Sequence, residues 1–127
     1  MTDTVEIVAQ RLRAAFDSGD LTTLAPLLRP DVRWGGEDET PETCHSRADV
    51  LAWYGKAAEA GVRATVTETV SGPDAVLLGL RVTGRDPVRT RRGQMIYQVF
   101  RITDGQVADI RGYPNRDEAV ATLSSVD

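Results

Sequence analysis

The one histidine of this chain, His45, stands beside its one cysteine, Cys44, just ahead of a segment with helical spacing. A Cys–His pair makes an activated nucleophile only when the ring reaches the thiol. Adjacent side chains usually point apart, so His45 is better suited to moving a proton at a pocket mouth, where its near-neutral pKa helps. Arg81 sits in a run of strand formers, and a guanidinium facing inward there needs a hydrogen-bonding partner; Gln94, Gln98 or a ligand oxygen could supply it. Glu37, Asp38, Glu39 and Glu42 crowd one loop. Metal binding would require them to converge on a fixed scaffold. They read instead as a solvated turn, with a lid carboxylate acting as a base as the weaker alternative. Asp109, Arg111 and Tyr113 alternate along one segment and share a face. Arg85, Arg89, Arg91 and Arg92 crowd a turn holding Gly84, Pro87 and Gly93, which reads as a solvated hairpin tip.

The elements that carry these groups follow from periodicity. Val5, Val8, Leu12, Ala15 and Phe16 recur at helical spacing and predict a helix over 4–17, stopped at Gly19. A short second helix is expected over 21–28, ended by Pro30. Val32, Arg33 and Trp34 form a short strand, and 35–46 is a polar loop. Ser46 caps a helix over 47–60 whose stripe is Val50, Leu51, Tyr54, Ala57 and Ala58. The period then changes. Residues 62–70, 74–85, 90–103 and 106–113 are rich in Val, Thr, Ile, Leu, Tyr and Phe and predict strands. Short connections make that part of the sheet antiparallel. Asn115 caps a closing helix over 116–124.

The length, 127 residues, suits one domain spanning 1–127, and 41% hydrophobic residues are enough for a packed core. The net charge of −4, with acidic and basic residues interleaved, argues against a nucleic-acid partner. No apolar run approaches a membrane span, and MTDTVEIVAQ lacks the pattern of a signal peptide. With a lone cysteine, the expected compartment is the cytoplasm. Nothing in the sequence calls for a metal or other cofactor.

Segment 74–85 has two distinct faces. Val76, Leu78, Leu80 and Val82 make an aliphatic row, and Leu77, Gly79, Arg81 and Thr83 make the opposite one. Either the aliphatic row is the core and Arg81 is solvated, or Arg81 looks into a pocket. In the second case the aliphatic row needs outside cover, which a second copy of the chain would supply.

The ordered segments FDSGD, LTTL and APLLRPDVRW, then TCHSRADVLAWY, then DGQVADIRGYPNRDEA, resemble the SnoaL-like branch of the nuclear transport factor 2-like superfamily. The resemblance implies an α+β fold: a cone-shaped, curved, antiparallel to mixed sheet wrapped around the N-terminal helices, a cystatin-like α+β barrel with a deep pocket. It also implies that Arg81 faces the pocket and that a homodimer forms through the convex sheet face. Aligned on the family, the inward set is Trp34, Thr65, Arg81, Thr83, Gln94, Ile96, Gln98, Ile110 and Gly112, joined by Phe16 and Tyr54; Asp109, Arg111 and Tyr113 fall on the convex side with Val107.

The family includes ketosteroid isomerase, limonene epoxide hydrolase, scytalone dehydratase and polyketide cyclases, which share a pocket but not a chemistry. Of the epoxide hydrolase's set only the arginine is matched, at Arg81: its aspartates fall on Thr83 and Gly112, and its Tyr and Asn on Trp34 and Gly36. The dehydratase's histidine pair has no counterpart, and Trp34-Gly35-Gly36 fills the stretch where an isomerase base would stand. The expected function is binding of a small polar cyclic metabolite or organic acid. One alternative is an isomerase, cyclase or dehydratase in which Arg81 stabilises charge and His45 or a loop carboxylate moves a proton. Another is a non-enzymatic accessory subunit.

Overall fold

The computed structural model describes residues 4–19, 21–36, 38–41, 43–84, 94–113 and 115–123. The order of elements is α1 (Thr4–Ser18), α2 (Leu21–Leu24), a single 3₁₀ turn (Ala25–Leu27), β1 (Leu28–Gly35), α3 (Arg47–Glu59), β2 (Arg63–Ser71), β3 (Ala75–Thr83), β4 (Gln94–Thr103), β5 (Gln106–Tyr113) and α4 (Arg116–Leu123). The five strands form one mixed, open sheet in the order β1-β5-β4-β3-β2, with β1 parallel to β5 and the rest antiparallel. The α+β class and cystatin-like architecture are as the sequence implies, although the sheet does not close into a barrel.

Local chemistry places the ends of the elements. Gly19 and Gly61 take left-handed backbone (φ 71° and 88°) just past α1 and α3. The Ser46 hydroxyl accepts from the Asp49 N–H at 3.1 Å, and the Asn115 side chain accepts from the Glu118 N–H at 2.9 Å. Asp104 and Gly105 both have positive φ and join β4 to β5 in a tight hairpin. β1 is longer than its Val-Arg-Trp signal: it begins at Leu28 and contains Pro30. An edge strand tolerates a proline, and the β1–β5 register is broken between Leu28 and Arg33, where Pro30 lies.

The direction of β3 corrects the family-based reading. Val76, Leu78 and Leu80 are buried with Val5, Val8, Leu12, Leu24 and Phe100 in the main core, and Val82 packs against it. The aliphatic row therefore lies under the helices. Arg81 is exposed on the other face, with Thr83 on the same side. The physical reason is the ordinary one: four branched side chains lose more water-exposed apolar surface against α1 than a guanidinium could recover there. The helices cover this row, so a second copy of the chain is not needed to do so.

The outer face has cover of its own. Ala75, Leu77, Val99 and Tyr113 pack against Ala119 and Leu123 of α4. Val107, expected outside, is instead fully buried in the main core, because a register shift between Arg101 and Ile102 turns the strand. Asp109 and Arg111 pair with each other at 3.0 Å within one chain, and Arg33 joins Asp109 at 3.5 Å.

Two further contacts hold α4 in place. Arg101 donates to the Thr122 carbonyl at 2.8 Å. Arg116 grips Glu68 of β2 with two bonds, at 2.7 and 3.1 Å. The Arg116 guanidinium holds the Glu68 carboxyl below its ordinary value, against a smaller opposing effect of burial. A carboxylate with a depressed folded-state pKa stabilises above its unfolded pKa, and that contribution is lost as pH falls through the folded value. Glu68→Gln is therefore expected to cost about 0.5–1 kcal/mol at neutral pH, discounted for partial exposure. In urea unfolding the difference from wild type should vanish as pH drops below the usual carboxylate range.

Candidate functional site

A cavity of about 600 Å³ opens between α1, α3 and the inner face of β2, β3 and β4. Phe16, Leu21 and Leu24 wall it on one side, Trp53, Tyr54 and Ala57 on another, and Leu80, Val82, Ile96 and Gln98 from the sheet. Most of this lining is apolar or aromatic, as in small-molecule sites generally. The aromatic groups support one another. Phe16 meets Tyr54 edge-on at 5.6 Å and Phe100 at 5.9 Å. Trp34 lies 4.3 Å from Trp53 between ring centres, and Tyr54 stands edge-on to both indoles.

One polar chain runs through this apolar wall. The Trp34 indole N–H donates to the Tyr54 hydroxyl at 3.2 Å, and that hydroxyl donates to Gln98 Oε1 at 3.3 Å. Burial pushes the Tyr54 phenol well above its ordinary range, outweighing the two hydrogen bonds, which act the other way. Tyr54 therefore keeps its proton at physiological pH and is not a base.

The titratable groups at the rim are committed elsewhere. Asp17 Oδ1 accepts from the Val66 N–H at 3.3 Å, beside the register shift of β2, and Asp17 also lies 3.8 Å from Arg13. Arg63 is exposed and donates to the carbonyls of Ala58 and Val62. Among the described residues no group of three or more His, Cys, Asp and Glu side chains is placed to hold a metal ion.

Of the expected lining, Phe16, Tyr54, Thr65, Ile96 and Gln98 border the cavity. Thr65 does so at its edge, since it pairs with Arg81 and is exposed. Trp34 stands behind Tyr54 as its hydrogen-bond donor. Ile110 is fully buried in the core. Gly112 faces Gln98 across the β4–β5 ladder without bordering the cavity. Arg81 and Thr83 belong to the outer face. The Gln94 side chain and the arginines of 85–92 lie outside the described residues.

His45 does not border the cavity. It hydrogen-bonds Glu39 on the surface, with both side chains more than half exposed. Cys44 points the other way into the core, and burial, with Asp49 nearby, pushes its thiol up. The two cannot form a nucleophile pair, because the Trp34–Cys44 backbone bridge fixes them on opposite sides. Of the acidic loop, Arg33 reaches the Glu39 carboxylate and the carbonyls of Gly36 and Asp38, and Glu37 and Glu42 lie outside the described residues.

Sequence reasoning missed Trp53 and Asp17. Trp53 had a signal: it lies three residues after Val50 and four before Ala57, on the edge of the stripe already read for α3. Asp17 had none, because its partner is a backbone amide on a strand distant in sequence.

An open mixed sheet with helices over an apolar cavity defines a cystatin-like, pocket-bearing α+β protein. The SnoaL-like domain profile matches residues 9–110, and the chain belongs to that family, within the nuclear transport factor 2-like superfamily. Solved structures share its fold. Bal32a, from a soil-derived mobile gene cassette, is 21% identical, with a TM-score of 0.71 over 97% of this chain and 100% of its own. A candidate polyketide cyclase of Sinorhizobium meliloti is 22% identical, with a TM-score of 0.68 over 88% of this chain and 100% of its own. A candidate ketosteroid isomerase of Kribbella flavida is 18% identical, with a TM-score of 0.68 over 99% and 92%. No curated protein matches the chain. No helix among the described residues is long and apolar enough to cross a membrane.

Proposed function

We propose that the protein binds a neutral, ring-bearing small molecule in the cavity under α1 and α3. The observation that carries this reading is the character of the lining: about 600 Å³ walled mainly by aromatic and aliphatic side chains, where among the described residues the inner polar groups are the uncharged Tyr54 hydroxyl and Gln98 amide, and Asp17 and Arg63 stand at the rim bonded to backbone. Such a surface gains by removing apolar rings from water and offers little to an ion. The organic-acid reading depended on Arg81, and the enzymatic reading on Arg81 with His45 or a loop carboxylate. Arg81, His45, Asp38 and Glu39 do not border the cavity, and this supports binding over proton transfer. The one carboxylate among the described lining residues, Asp17, accepts from a strand amide, and it would repel an anionic ligand.

Thermal unfolding with paired probes tests this. A ligand that binds the folded state raises Tm by an amount that grows with the logarithm of its concentration over Kd. Acetonaphthone, a neutral aryl ketone, is expected to raise Tm, and naphthoate at equal concentration is expected to leave it unchanged. A larger shift with naphthoate would mean an anion site, and no shift with either would remove the proposal.

A further inference from the structure

We infer that Gln98 reads an acceptor oxygen, of the carbonyl type, on the bound molecule, and that Trp34 and Tyr54 hold its amide in the orientation needed to do so. The inference rests on the cavity being the ligand site. Its basis is the direction of the hydrogen-bond chain. An indole N–H can only donate. The Tyr54 oxygen therefore accepts from Trp34, and its single proton must find another acceptor, which is Gln98 Oε1. Turning the amide over would set Nε2 against the Tyr54 hydroxyl and leave the tyrosine proton without a partner. The chain thus runs one way and leaves the Gln98 NH₂ at its far end.

That NH₂ group has no protein partner among the described residues. Gln98 is 4% exposed and borders the cavity, and Tyr54 is its side chain's one hydrogen-bond partner among the described residues. Among the described residues the one sealed side-chain polar atom without a partner is Thr69 Oγ1, so the Gln98 NH₂ opens to the cavity, where water serves it until an acceptor on a ligand takes that place. The ligand atom that fits is a neutral acceptor such as a ketone, lactone or quinone oxygen. Tyr54 acts through Gln98 and is a positioning residue.

The test compares acetonaphthone with isopropenylnaphthalene, which replaces C=O by C=CH₂ at nearly the same shape, by equilibrium dialysis. Wild type is expected to prefer the ketone by about five- to tenfold, the worth of one hydrogen bond. Gln98→Leu should bind the two equally, with the hydrocarbon bound at least as well as by wild type. Tyr54→Phe should reduce the preference without abolishing binding, because the amide is then free to turn; a merely structural role would not change this ratio. Gln98→Met repeats the comparison should the leucine variant unfold. Saturable binding without preference in wild type, or a preference that survives in both Gln98 variants, overturns the inference and leaves the cavity as the site. Failure of wild type to bind either probe overturns both.

Discussion

Replacing Leu78 with alanine is expected to lower the unfolding free energy by about 2–5 kcal/mol, the range for truncating a fully buried leucine. Leu78 has no exposed surface, lies between Val76 and Leu80 on the buried row of β3, and faces Gln98 across the ladder to β4. The loss combines the transfer term with the cavity left between the sheet and α1. Arg81→Ala, three residues on but on the exposed face, is expected to change stability by no more than about 0.5 kcal/mol. Urea unfolding of the two variants reads the orientation of the strand directly. The reverse order of effects would mean that the arginine faces the interior.

The second large effect concerns the cavity. Ala57 follows Tyr54 by three residues on α3, and both border the cavity. An Ala57→Trp indole would occupy the space a ligand ring needs. Affinity for acetonaphthone should fall at least about tenfold, since the loss of a single ring-sized contact already exceeds the tenfold interval in free energy. Stability should change little, because Ala57 is only half-buried and tryptophan costs a helix only a few tenths of a kcal/mol, on the order of its intrinsic propensity. Normal unfolding with lost binding would separate a blocked site from a damaged fold.

Much of the fold was legible because period and capping are local. The stripe of α1, the Ser46 and Asn115 caps, and the Asp104-Gly105 turn each depend on neighbours within a few residues. The orientation of β3 is not of that kind. A strand with one aliphatic face and one mixed face fits either side of a sheet until its cover is known, and the cover on both sides comes from elsewhere: α1 within and α4 without. Alternation alone favoured the aliphatic row inside, and alignment to relatives with an inward arginine pointed the other way. Val107 was misplaced for a related reason, since one register shift reverses every face beyond it. Of the inward set drawn from alignment to the family, Phe16, Tyr54, Ile96 and Gln98 lie on the cavity wall, because they stand on the helix and strand faces that pack toward it. The Trp34–Tyr54–Gln98 chain joins three separate elements, so only the packed molecule reveals it.

The most direct measurement is the affinity of acetonaphthone for Ala57→Trp and Arg81→Ala, compared with wild type by equilibrium dialysis. With the site on the inner face, the tryptophan variant loses binding and the alanine variant keeps it within about twofold, inside the small range expected for surface changes. Retained binding in Ala57→Trp together with lost binding in Arg81→Ala would place the ligand on the opposite side of the sheet and contradict the account.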